Sequence, residues 1–252
     1  MILERQSFGE GPARPLLIAH GLFGSGRNWG VIAKRLSDRG RVVTVDMRNH
    51  AGSGWDDNHS YPAMAGDLAE TIQAEGGGVW DVLGHSMGGK AAMTLALDRP
   101  DLVGALVVAD IAPMAYGHSQ SDLIEAMRAL DPSAVASRAE AGAALAVEDP
   151  VVRSFLLQSL DLRAGRWRLN LDALDAGMDD TVGWHSPAGT FDGPTLFLAG
   201  GESDYVPPEA REAIRAHFPK ARIARIPGAG HWLHAEKPRE FEAATRAFLD
   251  AA

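Results

Sequence analysis

Short apolar runs alternate with longer amphipathic segments along most of the chain. The runs have the length and β-branched content of buried strands, and the longer segments repeat apolar positions with a helical period. The predicted strands are 16–19, 42–45, 79–83, 105–109, 195–199 and 223–226. The predicted helices are 28–37, 62–74, 87–97, 209–218 and 238–249. This alternation predicts an α/β protein with a mostly parallel central sheet and helices on both faces.

One segment, residues 114–193, interrupts the alternation. It is rich in alanine, has no strong strand pattern, and contains helical patterns at 121–130, 133–147 and 151–160. No Gly/Ser linker or run of charge separates it from its neighbours. We therefore predict a helical lid inserted after a middle strand of one core, which residues 1–113 and 194–252 form.

Composition argues against several functional classes. The 252 residues include 24 Lys and Arg against 33 Asp and Glu, a net charge of −9, which disfavours nucleic acid or a membrane surface as a partner. The chain has no cysteine, so a disulfide, thiolate-bound metal and a cysteine nucleophile are excluded. The first residues lack the apolar core of a signal peptide, and no stretch has the roughly 18 apolar residues of a membrane span. We predict a cytoplasmic protein, and its oligomeric state stays open.

A G-x-S-x-G motif, Gly84 to Gly88, lies between a predicted strand and a predicted helix. This context is typical of a nucleophile elbow, in which a serine occupies a strained turn and flanking glycines let the neighbouring backbones approach. Ser86 is the candidate nucleophile, and an idle serine in a glycine-rich turn is the alternative. The segment also nearly matches a phosphate-binding loop, but Ala91 stands where that loop needs a hydroxyl for Mg²⁺. Lys90 is therefore predicted to be a solvated helix residue.

A serine hydroxyl needs a base, and the chain order Ser, acid, His places that base after the last strand. His231 lies there in a glycine-rich loop, and His234 lies beside the start of the final helix. We predict His231 as the base and His234 as a capping or packing residue. Apart from Glu236, the pair has no further ligands at metal spacing. We expect neither a metal nor a cofactor.

The loop after strand 16–19 begins His20-Gly21-Leu22-Phe23. In this architecture such a loop supplies one backbone N–H to an oxyanion hole, and the residue after the nucleophile supplies the other. We predict the N–H groups of Leu22 and Met87 as the donors, with Phe23 as the less favoured partner of Met87. A plain glycine-rich turn is the alternative.

Two aspartates follow predicted strands and are candidates for the acid that orients the base. Asp110 follows strand 105–109, and Asp204 comes after strand 195–199. Sites of this kind gather at the carboxyl ends of parallel strands. Asp110 is alternatively a cap at the start of the inserted segment, and Asp204 a solvated turn residue.

Seven strings along the chain carry a resemblance to a known family. They are HGLFGS (20–25), DMRNH (46–50), YPAMA (61–65), GHSMGGKAAM (84–93), DIAP (110–113), WRLN (167–170) and GAGHWLHAEKP (228–238). With these strings, which span nearly the whole chain, the sequence resembles the α/β-hydrolase superfamily and, within it, the YbfF-type bacterial esterases. One departure is Ala51, because such sequences usually have glycine after RNH. The departure puts the shape of that loop in question.

The resemblance implies an α/β-hydrolase fold and a hydrolase of small carboxylic esters, with Ser86 as nucleophile, His231 as base and an acyl-enzyme intermediate. In most members of the superfamily the acid is the aspartate of a D-x-x-V-P motif. Here Val206-Pro207 would place that aspartate at position 203, which is Ser203, and Asp204 comes one residue too late. YbfF-type esterases use the aspartate of D-I-A-P, which implies Asp110. We therefore favour Asp110 over Asp204.

Other activities of the same triad stay open: thioester hydrolysis, carbon–carbon bond hydrolysis and perhydrolysis. A weakly catalytic ligand receptor on this fold is also compatible with the sequence. Dehalogenases and epoxide hydrolases need an aspartate at position 86, which Ser86 argues against.

Large apolar side chains of the inserted segment and its approaches are expected to line an apolar acyl pocket, although residues at helical spacing are often core residues instead. They are Phe23, Met114, Tyr116, Phe155, Trp167 and Trp184. The expected partner is a small-molecule ester.

Overall fold

The computed structural model describes residues 1–185 and 187–252. The strands are β1 (Arg5–Phe8), β2 (Leu16–Ala19), β3 (Val42–Val45), β4 (Trp80–His85), β5 (Val103–Ala109), β6 (Leu160–Asp161), β7 (Arg166–Trp167), β8 (Thr195–Gly200) and β9 (Ala221–Ile226). The helices are α1 (Gly30–Leu36), α2 (Tyr61–Ala74), α3 (Met87–Asp98), α4 (Ser121–Ala129), α5 (Arg138–Ala144), α6 (Pro150–Leu156), α7 (Leu171–Ala176), α8 (Met178–Val182), α9 (Ala210–His217), α10 (Leu233–Glu236) and α11 (Pro238–Leu249).

Seven strands form one sheet in the order β1-β3-β2-β4-β5-β8-β9. Strand β1 is antiparallel to β3, and the other neighbours are parallel. The predicted mostly parallel sheet is therefore confirmed. Strand β1 was not predicted, because its sequence, RQSF, is mostly polar and lies half-exposed at the sheet edge.

Both faces of the sheet are covered, which explains why its central strands are continuous apolar runs. Alternate residues of β2 point to opposite faces: Leu17 belongs to the core that α2, α3 and α9 share, and Leu16 belongs to the core under α1 and α11. The carboxyl ends of β2, β4, β5 and β8 meet at one edge, where the loops converge.

The inserted residues 114–193, here called the cap segment, contain helices α4 to α8 and a two-stranded antiparallel hairpin, β6–β7. They have a hydrophobic cluster of their own, in which Ile124, Leu156 and Leu174 are fully buried. Phe23 of the core also packs into this cluster, so the two parts share apolar surface. A lid function of the cap segment and its exact boundaries stay predictions.

Among the helices of residues 1–185 and 187–252, none has both the length and the apolarity that a membrane crossing requires. The cytoplasmic location stays a prediction.

Ala51 lies in the loop after β3 with a φ of 47°, in the left-handed region that favours glycine. Its N–H donates to the carbonyl oxygen of Arg168 in the cap segment at 2.7 Å. The loop therefore keeps a glycine-type conformation although alanine occupies the position.

We expect Ala51→Gly to raise the free energy of unfolding by about 0.5–1 kcal/mol, because it removes the left-handed strain at the cost of a more flexible unfolded chain. Urea denaturation followed by circular dichroism measures the change. The control is Ala243→Gly, at an exposed position inside α11, which should lower stability by about 1 kcal/mol. A destabilised Ala51→Gly protein would contradict the strain argument.

Candidate active site

Ser86 occupies a tight turn between β4 and α3. Its φ is 52° and its ψ −120°, a conformation that side-chain-bearing residues rarely adopt. A Cβ at Gly84 would collide with the carbonyl group of Gly88, and a Cβ at Gly88 would collide with the carbonyl groups of Ala19 and His20. The glycines of the motif are therefore required by backbone contact, and the turn exposes Ser86 at the carboxyl edge of the sheet.

Asp110 follows the last residue of β5 and is completely buried, again with a left-handed φ of 49°. Its Oδ1 accepts the N–H of Gly200 at 2.8 Å. Its Oδ2 accepts from Nδ1 of His231 at 2.7 Å and from the hydroxyl of Ser203 at 2.5 Å. A buried carboxylate is costly unless it is hydrogen-bonded, and these three donors satisfy that requirement.

His231 lies in the loop between β9 and α10, and its side chain is 19% exposed. The bond to Asp110 uses Nδ1 and so leaves Nε2 for proton transfer. The ring of Tyr205 stacks on the imidazole with the centroids 4.0 Å apart. His85 fixes the main chain of His231: the Nε2 atom of His85 lies 2.9 Å from the carbonyl oxygen of His231.

The two acid candidates separate clearly in the structure. Asp110 contacts His231, whereas Asp204 is exposed on the loop after β8. Ser203, which the sequence put in register with the usual acid position, instead donates to Asp110. Sequence reasoning did not assign this contact to Ser203, although the register of its motif was a signal.

His234 is buried beside the site and stacks on Trp29, with 4.0 Å between the ring centroids and 12° between the planes. Burial lowers the pKa of His234 to about 3, so its ring is neutral at neutral pH. The structure thus places His234 in a packing position.

Two buried histidines brace the loop that follows β2. His50 accepts the N–H of Phe23 on Nε2 at 3.1 Å and bonds the carbonyl oxygen of Arg48 through Nδ1 at 2.8 Å. His20 accepts the N–H of Met47 on Nε2 at 2.9 Å and bonds the carbonyl oxygen of Gly21 through Nδ1 at 2.7 Å. Burial lowers the pKa of His20 to about 4 and that of His50 to about 3, so both rings are neutral.

These bonds decide which backbone donors are available next to Ser86. The N–H of Phe23, which has a φ of 63°, is occupied by His50. In the described residues, the N–H groups of Leu22 and Met87 have no hydrogen-bond acceptor, and both residues line the cavity beside Ser86. Sequence reasoning missed the contribution of His20 and His50 because the N–H groups that they accept, those of Met47 and Phe23, lie 27 residues away in the chain.

The cavity beside Ser86 has a volume of about 290 Å³ and mostly apolar walls. Its apolar and aromatic lining residues are Leu22, Phe23, Trp29, Tyr61, Met87, Ile111, Tyr116, Leu123, Val152, Phe155, Leu156, Val182 and Trp232. Of the predicted pocket residues, Phe23, Tyr116 and Phe155 are among them.

Three other predicted pocket residues lie outside these walls. Met114 and Trp184 instead pack, partly buried, against the core under α2 and α3. Trp167 is buried inside the cap segment, where its indole N–H donates to the carbonyl oxygen of Met127 at 2.8 Å. The prediction that these three residues line the pocket is therefore wrong. Each packs against apolar side chains of the protein instead.

The prediction of a solvated Lys90 is wrong. The side chain is 1% exposed, and its ammonium group donates to the carbonyl oxygens of Val182, at 3.0 Å, and Gly183 at the end of α8. Helix ends leave carbonyl groups without intrahelical donors, and Lys90 supplies a donor to them from α3. Burial lowers the pKa of Lys90 to about 7.

Within residues 1–185 and 187–252, no group of three or more His, Asp or Glu side chains is arranged to hold a metal ion.

A family model for the alpha/beta hydrolase fold matches residues 14–238. The chain belongs to the α/β-hydrolase family. The sn-1-specific diacylglycerol lipase ABHD11 of Mus musculus is 41% identical over 96% of this chain and 82% of its own length. Esterase YbfF of Escherichia coli is 40% identical over 94% of this chain and 93% of its own length. These relatives confirm the resemblance to YbfF-type α/β-hydrolases.

A solved structure described as a marine microorganism esterase is also similar to this α/β-hydrolase. It has a TM-score of 0.93 and 37% identity, and the match covers 98% of this chain and 99% of that one. The predicted α/β-hydrolase fold is thereby confirmed over 98% of the chain, and the lid stays a prediction.

We expect Lys90→Met to lower the free energy of unfolding of this α/β-hydrolase by about 2–3 kcal/mol, because buried carbonyl groups at the end of α8 lose their donor. The loss should grow as pH rises above 7. The folded pKa of about 7 lies below the ordinary 10.5, so unfolding takes up a proton between these values and wild-type stability rises with pH there.

Urea denaturation at pH 7.5 and pH 9.5 measures both effects. The matched control is Lys34→Met at an exposed position of α1, which should change stability by no more than about 0.5 kcal/mol. Equal stability of the Lys90→Met and wild-type proteins would contradict the anchoring contact.

Proposed function

We propose that the protein is a serine hydrolase of small carboxylic esters and that Ser86, His231 and Asp110 are its catalytic triad. The enzyme class agrees with the names of the three similar proteins reported above, two esterases and a lipase. The observation that carries the triad is the 2.7 Å hydrogen bond between His231 and the buried carboxylate of Asp110, in the cavity that Ser86 also lines.

In the first step, His231 Nε2 removes the hydroxyl proton of Ser86 as its oxygen attacks the ester carbonyl carbon. Asp110 keeps the proton on Nδ1 and stabilises the imidazolium that forms. The carboxylate is held in place by three donors at once: the N–H of Gly200, the hydroxyl of Ser203 and Nδ1 of His231.

The oxyanion of the tetrahedral intermediate is held by the N–H groups of Leu22 and Met87. Each donor of this kind contributes about 10²- to 10³-fold in rate. Met87 is also the first residue of α3, so the positive end of the helix dipole adds to the stabilisation. His50 supports this assignment, because it occupies the neighbouring N–H of Phe23 and leaves that of Leu22 free.

The intermediate collapses when His231 donates its Nε2 proton to the leaving alcohol, which departs and leaves an acyl-Ser86 ester. Water then enters, His231 takes its proton, and the hydroxide adds to the acyl carbon. A second collapse releases the carboxylic acid and returns the proton to Ser86. The apolar cavity walls suit an acyl chain, since they exclude water from the reacting carbonyl.

A fluorophosphonate probe tests the proposed function. We expect one covalent label on Ser86, because only a base-activated serine attacks such phosphorus centres quickly. Intact mass and peptide mapping measure the adduct, with Ser86→Ala as the control. Absence of label, or undiminished labelling of Ser86→Ala, would show that the nucleophile assignment is wrong.

The two acid candidates give a second, matched comparison. We expect Asp110→Asn to lower kcat on a p-nitrophenyl ester by about 10⁴-fold, because the amide cannot hold His231 in the required tautomer. Asp204→Asn removes the same charge from an exposed loop and should stay within about tenfold of wild type. Circular dichroism shows first that both variants fold. An active Asp110→Asn protein beside an inactive Asp204→Asn protein would reverse the assignment.

A further inference from the structure

A second concavity, here called the arginine groove, opens beside the candidate active-site cavity, at the junction of the cap segment and the core. Its volume is about 1130 Å³. Asn28, Phe155, Trp232 and His234 line both the groove and the cavity, so the two spaces are neighbours with a shared wall. Trp232 directly follows His231 in the chain, and the groove therefore begins on the histidine side of the candidate active site.

The groove carries positive charge in a protein whose net charge is −9. The arginines that line it are Arg27, Arg138, Arg153 and Arg168. Among the described lining residues, Glu236 is the one carboxylate, and its Oε2 accepts the backbone N–H of Gly230 at 2.6 Å. The lining is thus strongly biased towards cations.

Two of these arginines hold the cap segment together. Arg138 donates to the carbonyl oxygens of Leu157 and Leu160, and Arg153 donates to that of Val147. These are neutral partners, so the positive charges stay uncompensated.

The other two arginines have guanidinium groups available to a ligand. Within the described residues, the side chains of Arg27 and Arg168 form neither an ion pair nor a hydrogen bond, although the structure has many of both. Arg27 is exposed on the core, and Arg168 is half-buried in the cap segment. A ligand in the groove would therefore have one free guanidinium group from the core and one from the cap segment beside it.

We infer that the arginine groove binds a phosphate group carried by the leaving alcohol of the substrate. The inference rests on the proposed function, in which His231 donates its proton to that alcohol and so faces the leaving-group side. The cavity with apolar walls takes the acyl chain, and the neighbouring groove takes the remainder of the ester. Guanidinium groups match phosphate oxygens in charge and in bidentate geometry. The substrates would be acyl esters of phosphate-bearing alcohols.

Two matched esters test the inference: 1-butyrylglycerol 3-phosphate and 1-butyrylglycerol, which share the acyl group and the glycerol. We expect the wild-type kcat/KM to favour the phosphate ester by about tenfold or more, as charge-assisted hydrogen bonds to phosphate allow. Added NaCl should lower this ratio, because it screens charges on an open groove.

The double variant Arg27→Ala/Arg168→Ala should bring the ratio close to one. The matched control is Arg211→Ala/Arg215→Ala, which removes two exposed arginines from α9, outside both concavities, and should keep the wild-type ratio. Circular dichroism verifies the fold of both, and the single variant Arg27→Ala, at an exposed site, replaces the double variant if the latter does not fold.

Binding without turnover gives an independent measurement. In the Ser86→Ala protein, calorimetry should show 1-butyrylglycerol 3-phosphate binding about tenfold or more tightly than 1-butyrylglycerol, and the two arginine substitutions should abolish the difference.

The inference would be overturned by a wild-type kcat/KM ratio of the two esters near or below one, or by a ratio that the two arginine substitutions do not change. Ser86-dependent cleavage of the neutral ester would in that case still support the proposed function. If neither ester is cleaved and the fluorophosphonate does not label Ser86, the proposed function fails. Calorimetry on the Ser86→Ala protein then decides the phosphate site by itself.

Discussion

The buried carboxylate of Asp110 joins the three segments that build the site: the end of β5, the end of β8 through Gly200 and Ser203, and the loop that carries His231. A buried charge is tolerated only while its donors stay in place, so the three segments are coupled. The sheet supplies the rigidity. Ala109 pairs with His85 of β4 on one side and with Leu198 of β8 on the other. The left-handed conformations of Ser86 and Asp110, each costing of order 1–3 kcal/mol, persist because the surrounding strands over-determine them.

Neutral histidines surround the hydrogen-bonded pair of Asp110 and His231. Burial holds the pKa of His20 and His234 at about 4 and about 3, and lowers the pKa of His85 well below its usual value. These rings therefore act at neutral pH as hydrogen-bonding and packing groups rather than as cations. His231 alone among the described histidines at the site has a carboxylate partner. A positive charge that forms during the proposed reaction is thus confined to His231, whose imidazolium the carboxylate of Asp110 stabilises.

The sequence was sufficient for features that depend on local pattern. Strands buried on both faces are continuous apolar runs, and G-x-S-x-G marks a turn that only glycines permit, so the sheet and the position of Ser86 were predictable. Asp110 and Asp204 were harder to separate, since both follow strands and only the folded sheet brings one of them to His231. Lys90 was mispredicted because its burial is imposed by the cap segment, which is distant in sequence.

Several cations hold the cap segment to itself and to the core through backbone carbonyl groups, beside the ion pairs that Arg128 forms with Asp172 and Asp175. Lys90 reaches from α3 to the end of α8, and Arg138 and Arg153 bond carbonyl oxygens inside the cap segment. This arrangement leaves positive charge at the junction with the core. Arg27 belongs to the core and Arg168 to the cap segment, so the position of the cap segment sets the separation of their guanidinium groups. A phosphate held by Arg27 and Arg168 together would therefore bind best when the cap segment is packed against the core. By linkage, its binding would also stabilise that packing.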